Sequence, residues 1–359
     1  MLKDKIIQKD VSVSAAKAIG IILMVYAHCT TPNFFHGVIG SFHMPLFFFF
    51  SGYCFKDLYL LNFKDFARKR ITGLYRPFVV WGLFFLILHN FFFYINFYND
   101  EYGHIYRGGV SRYYTLVETI KRGGYIILTL TKNEQMLGGY WFLHDLFYAS
   151  FISFFIIKYI KNPYWGLIIA LSISMILQYT NFQVPYFTIN GRCFLAISFF
   201  LTGRIIKTTN IPLTNWCTRI VMTFFLLLGI LLGAVFIRKS MLSITWQLLI
   251  PYYYCAVCYI IIVKFVCNYL KPDKHITKCI SYVGNNSLTI LTWHFLVLRF
   301  VSLLLVYIYG LPIKMVGCHP IIADYSNKGW WIIYLAAGIT IPCLIAKLHK
   351  YTFFRWLHI

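Results

Sequence analysis

Apolar residues run through this chain in long blocks, without the short alternation of half-buried strands or the single apolar stripe of a surface helix. Ten blocks are long enough, or nearly so, to be membrane-spanning helices. They fall near 12–31, 43–61, 75–98, 139–160, 164–181, 191–207, 219–237, 244–267, 285–309 and 330–347, the fifth and sixth being the shortest. The longest polar segment, about 98–138, mixes Asp100, Glu101, Arg107, Arg112, Glu118, Lys121, Arg122 and Glu134 with Tyr and Gly. It reads as a flexible connection, or else as a lid over a binding site.

Composition makes the same point in bulk. At 59% hydrophobic and 12% charged residues, the chain is too apolar for a water-soluble globule of 359 residues. The expected fold is therefore an all-α membrane protein of about ten transmembrane helices, one membrane-embedded domain over 1–359 with no appended soluble domain. The first apolar block lacks a convincing small-residue cleavage site and is expected to stay attached. The ten cysteines lie mostly in or beside the blocks and do not read as a disulfide framework; Cys255-Ala-Val-Cys258 has no second pair to complete a metal site.

A net charge of +22 raises the possibility of nucleic acid, but its distribution argues against that. With a cytoplasmic N-terminus, 22 Lys and Arg fall on the inner side of the expected helices and 9 on the outer, leaving Arg192 and Arg299 inside spans. This is the positive-inside rule, and it predicts cytoplasmic N- and C-termini; the expected location is the inner (plasma) membrane. The basic excess is then mostly topological, with a secondary use in meeting anionic membrane lipid or a phosphorylated cosubstrate, and no nucleic-acid partner is expected.

Chemistry concentrates first on Lys17 and His28. Eleven steps of about 100° return the two side chains to within roughly 20° of one helix face, about 16 Å apart along the axis. A cation at a membrane surface then places the imidazole near mid-membrane, where ionisable groups are costly and usually functional. The plainer reading is an interhelical hydrogen bond and a topological lysine. His43, beside Pro45, begins the second expected span at the outer face, where it would meet an acceptor hydroxyl or simply bond backbone. Asp145 is the one carboxylate inside a span and needs a partner, either Arg192 or a histidine. His294, about 14 Å into the ninth span at ~1.5 Å per residue, falls near the level of His28, so that the two imidazoles could flank a common cavity. Arg299 lies deeper and must face protein or water.

Lys17-x10-His28 followed by Phe42-His-Met-Pro-Leu-Phe-Phe-Phe-Phe-Ser-Gly-Tyr53 resembles the opening of the acyltransferase-3 family of membrane acyltransferases, most of all its fucose 4-O-acetylase-type sugar O-acetyltransferases. Gly139-Tyr-Trp-Phe-Leu-His-Asp145, the stretch Gly191–Gly203 with Arg192, and Leu288-Thr-Ile-Leu-Thr-Trp-His294 are similar to later, less specific elements of that family. The resemblance implies transfer of an acetyl group from cytoplasmic acetyl-CoA to a hydroxyl of a cell-envelope or exported polysaccharide, with no metal. It implies His28 as general base or covalent carrier, with His43, His294 and Asp145 as further catalytic candidates, and Lys17, Arg68, Arg70 and Arg76 at the coenzyme A phosphates. Trp141 and Arg192 become candidates for the glycan acceptor. A transporter or flippase is the alternative, since intramembrane Asp, Arg and His also line substrate paths, and a non-sugar acceptor is another. Oligomeric state is not readable.

Overall fold

The structure, a computed structural model, describes residues 11–30, 34–102, 112–209, 216–272 and 274–349. Every regular element among them is helical. The principal helices are α1 (Val11–Cys29), α2 (Phe34–Tyr53), α3 (Phe63–Ile87), α4 (Leu116–Thr129), α5 (Trp141–Tyr159), α6 (Pro163–Tyr179), α7 (Gly191–Thr208), α8 (Trp216–Val235), α9 (Leu249–Asn268), α10 (His275–Asn285), α11 (Ser287–Tyr309) and α12 (Trp331–His349). Each of the ten apolar blocks has a helix. Among the described residues, six stretches are long and apolar enough to cross a membrane: Val11–Cys29, Phe63–Ile87, Gln135–Tyr159, Trp246–Asn268, Ser287–Tyr309 and Ala323–Leu348. Ile168, Ile169, Phe224, Leu231, Ile332 and Leu344 are exposed on outward faces, a surface suited to lipid and costly in water.

Two helices are displaced from their expected positions. The second runs Phe34–Tyr53 where 43–61 was expected, so His43 lies mid-helix and does not begin the span. Gly37 and Gly40, inside it, are interface residues packed against Arg238 and Ser240 of the α8–α9 connection. The third runs Phe63–Ile87 where 75–98 was expected. Asn62 starts it by accepting a hydrogen bond from the Asp65 amide at 3.2 Å, and a π-helical turn over Ile71–Tyr75 carries the basic stretch into the helix body.

The segment about 98–138 is not a flexible connection over its described part. Thr115 and Glu118 form a reciprocal capping box that starts α4. Beyond α4, buried Glu134 meets His89 Nδ1 at 2.7 Å, tying the end of the segment to the end of α3. Arg107 lies outside the described residues.

Helix α1 is central, packed against α2, α9, α10, α11 and α12. On its other side α2 crosses α7 so closely that a Cβ at Gly52 would lie 1.8 Å from the Phe200 carbonyl oxygen, and one at Gly203 1.9 Å from that of Phe49. Only glycine fits at this crossing. The described cysteines are free thiols.

Candidate functional site

Because α1 carries both Lys17 and His28, its packing puts them in two different chambers. Lys17 lines a chamber of about 370 Å3 with Lys69, Arg70, Tyr59, Ser51 and Ser287, closed by Phe47, Phe50, Leu143 and Leu146. Arg70 donates to Ser51 Oγ at 3.3 Å and lies over the Phe66 and Phe200 rings at 5.3 and 5.9 Å. Lys69 Nζ donates to the Tyr59 hydroxyl at 3.0 Å. Phe66, Lys69, Arg70, Gly73 and Leu74 fall at helical spacing on one face of α3 and turn into the chamber. Arg68 and Arg76 lie off that stripe and do not line it, contrary to expectation. Lys69 does line it, three residues beyond buried Phe66 on the same face of α3.

His28 occupies the last turn of α1 and lines a second chamber, of about 730 Å3, with His36, His43, His319, Trp141, Arg238 and Ser240. Met24, Met44 and Leu291 line both chambers, so the two are neighbours along α1 and share this apolar wall. His28 is placed by the end of its helix, where the sequence reading put it near mid-membrane. Its ring stacks on His294 at a centroid distance of 5.6 Å and touches Phe295 at 4.8 Å. His294 thus stands at the level of His28, but it is fully buried behind it and lines neither chamber.

Backbone carbonyls assign the protons on two of these imidazoles, because a carbonyl oxygen only accepts. His43 Nδ1 donates to the Ile39 carbonyl at 2.7 Å, and His294 Nδ1 donates to those of Ile290 and Leu291, both at 3.0 Å. In the neutral form each is left with Nε2 as a lone pair. His319 is the reverse case. Its Nδ1 lies 3.3 Å from Arg299 Nη2, and a guanidinium only donates, so neutral His319 carries its proton on Nε2. Burial, and after it the charge of Arg299, hold the His319 imidazole well below its ordinary range. Among the described residues, no group of three or more His, Cys, Asp or Glu is gathered closely enough to hold a metal ion.

Asp145 has both of its expected kinds of partner at once. Arg192 Nε donates to Oδ2 at 2.5 Å and Nη2 to Oδ1 at 3.3 Å, while His144 Nδ1 meets Oδ1 at 2.8 Å. His144 Nε2 in turn donates to the Phe187 carbonyl at 2.7 Å. The fully buried carboxylate therefore ties α5 to α7 and to the loop before α7, and neither it nor Arg192 lines either chamber. The Arg192 guanidinium lies 4.8 Å over the Trp141 ring, which does line the His28 chamber, so this cluster reaches the site through Trp141.

His319, His36 and His144 escaped the sequence reading. His144 stands beside Asp145, and adjacency to the one carboxylate expected inside a span was the available signal. His36 lies in the first turn of a helix expected to start later, and His319 in a connection; nothing local marks either.

Residues 10–347 match the model of the acyltransferase-3 family, described as an acyltransferase domain. No curated protein and no solved structure matches the chain. With nearly the whole chain matched by that one model, and Lys17 and His28 set in adjoining chambers on its central helix, the protein belongs to the acyltransferase-3 family and is a membrane acyltransferase.

Proposed function

We propose that the protein is an O-acetyltransferase that moves an acetyl group from cytoplasmic acetyl-CoA to a hydroxyl of a cell-envelope or exported polysaccharide, as fucose 4-O-acetylase-type enzymes do. It works as one membrane-embedded domain in the inner (plasma) membrane, crossing ten times with both termini cytoplasmic. The observation that carries this reading is the pair of chambers: one lined by Lys17, Lys69 and Arg70, the other by imidazoles, back to back across Met24, Met44 and Leu291.

The cation-lined chamber suits the donor, its ammonium and guanidinium groups meeting coenzyme A phosphates at the mouth while the apolar walls take the pantetheine arm. The thioester reaches the shared wall. From the other chamber an acceptor hydroxyl attacks the thioester carbonyl as His28 takes its proton, forming the C–O bond. Collapse of the tetrahedral adduct breaks the C–S bond, and the proton held by His28 goes to the departing thiolate, leaving an acetyl ester and free coenzyme A. Trp141, steadied by Arg192, offers an aromatic face of the kind sugars pack against, and His43 Nε2 is a hydrogen-bond acceptor for a hydroxyl.

The test is mass spectrometry of envelope glycans from cells with and without the gene, alongside transfer from radiolabelled acetyl-CoA to isolated glycan by the purified protein. Loss of an acetyl ester from one sugar in the deleted strain is the expected result. Unchanged glycans with no transfer to any of them would return the acceptor to the non-sugar alternatives.

A further inference from the structure

Acyl transfer to a hydroxyl passes through a tetrahedral oxyanion, which needs hydrogen-bond donors placed where the negative charge develops. The imidazoles around the His28 chamber are not equivalent in this respect. His43 and His294 have spent their Nδ1–H on their own helices and keep lone pairs at Nε2. A lone pair repels an oxyanion. Of His43, His294 and His319, His319 is the one that keeps an N–H at Nε2, because Arg299 occupies its Nδ1.

The placement of Arg299 is itself costly. The side chain is fully buried, and among the described residues no carboxylate pairs with it. Its donors go to the Val316 carbonyl at 2.8 Å, the Cys318 carbonyl, Gln135 Oε1 at 3.1 Å and His319 Nδ1 at 3.3 Å, and its Nε has no partner. Two backbone carbonyls and an amide would suffice to staple the 311–322 connection, and a neutral side chain could do it without the desolvation of a cation. The contact a neutral staple would not reproduce is the one to His319. There the guanidinium selects the tautomer and strengthens the N–H on the far side of the ring. Phe295 sets the spacing: its ring centroid is 4.8 Å from that of His28 and 4.8 Å from that of His319, so base and donor flank one aromatic wall of the same chamber.

We propose that His319 Nε2–H binds the thioester carbonyl oxygen and stabilises the oxyanion formed when the acceptor hydroxyl adds, with Arg299 as its positioning residue. This rests on the acyl-transfer reading with His28 as base. No bond to His319 forms or breaks; the imidazole keeps its proton throughout and the adduct collapses with loss of the coenzyme A thiolate as described above.

The experiment compares His319→Gln with His319→Met in the full-length protein, using radiolabelled acetyl-CoA and the glycan that wild type acetylates. The two replacements match in length and differ in the N–H. Loss of an oxyanion donor costs roughly 10²–10³ in kcat, so Met falls by that factor with KM for acetyl-CoA nearly unchanged, while Gln stays within about tenfold of wild type. Arg299→Gln supplies the positioning readout: combined with His319→Met it costs no more kcat than His319→Met alone, since Arg299 acts through that ring. Equal activity of the Met and Gln variants, whether both high or both low, overturns the donor role. If either variant fails to fold in detergent, His319→Phe and His319→Asn repeat the comparison of a ring without a donor against an amide. Wild-type protein that transfers acetyl to no glycan would strike the parent reading first, an outcome distinct from an active wild type whose His319→Met variant is equally active.

Discussion

The His28 imidazole stacks on that of His294, with ring centroids 5.6 Å apart and planes inclined by 26°. His294 is pinned by two hydrogen bonds to its own helix and is fully buried, whereas His28 stands at the chamber wall. In the proposed mechanism the pair is therefore a fixed ring supporting the base. His28→Ala is expected to reduce acetyl transfer by at least about 10²–10⁴-fold, the usual worth of general-base assistance, in a protein that still inserts and folds. His294→Phe keeps a stacking surface and should retain more activity than His28→Ala. Near-wild-type turnover by His28→Ala would move the base elsewhere in the chamber.

The chamber that Lys17 lines separates the basic residues of α3 into two classes. Lys69→Ala and Arg70→Ala should weaken acetyl-CoA binding by about 1.5–3 kcal/mol each where the contact to phosphate is direct. Arg68→Ala and Arg76→Ala should leave it unchanged. Lys17→Arg should keep much of the activity that Lys17→Ala loses. Isothermal titration with acetyl-CoA reads the affinities, and equal effects at all four α3 positions would refute the placement of the donor in this chamber.

Met24 lines both chambers, so a bulky ring there should close the path between them. Met24→Trp is expected to abolish transfer while leaving acetyl-CoA affinity within a few-fold of wild type. Full activity in that variant would mean the acetyl group travels by another route.

Asp145 is expected to matter for stability more than for chemistry. Asp145→Asn leaves a largely buried Arg192 without its carboxylate, and breaking a buried pair costs about 3–5 kcal/mol. Thermal unfolding in detergent should show a large loss, partly recovered by adding Arg192→Gln. The folded fraction should still turn over, since Asp145 lines neither chamber. A stable but inactive Asp145→Asn protein would restore the carboxylate to the catalytic group.

At the α2–α7 crossing, Gly203→Ala would place a methyl carbon 1.9 Å from the Phe49 carbonyl oxygen. The helices must move apart, at a cost of about 1–3 kcal/mol or more. Gly73→Ala, with nothing within 4 Å of the added carbon, is the control expected to unfold at the wild-type temperature.

Whatever depends on the order of residues along one helix was already determined in the sequence. Long apolar blocks dictate helices because a bilayer leaves the backbone no other partner than itself, and ten blocks did become helices. The eleven-residue interval between Lys17 and His28 is likewise a property of one helix, and the expected level of His294 followed from counting along another. What only the tertiary structure decided is which faces meet. His319 sits in a connection whose residues carry no periodicity, and it becomes a chamber residue only because α11 and α12 bring it across Phe295 to His28. Arg299 selects its tautomer from 20 residues away in sequence, a relation no local pattern encodes. Lys69 and Arg70, and not Arg68 or Arg76, share a face of α3 with buried Phe66 and line the Lys17 chamber, and Asp145 is paired with Arg192 and His144 outside both chambers. Hydrophobicity specifies that a helix exists and roughly where it ends; its rotation and its neighbours are set by packing and by the pairing of buried polar groups, which join residues far apart in the chain.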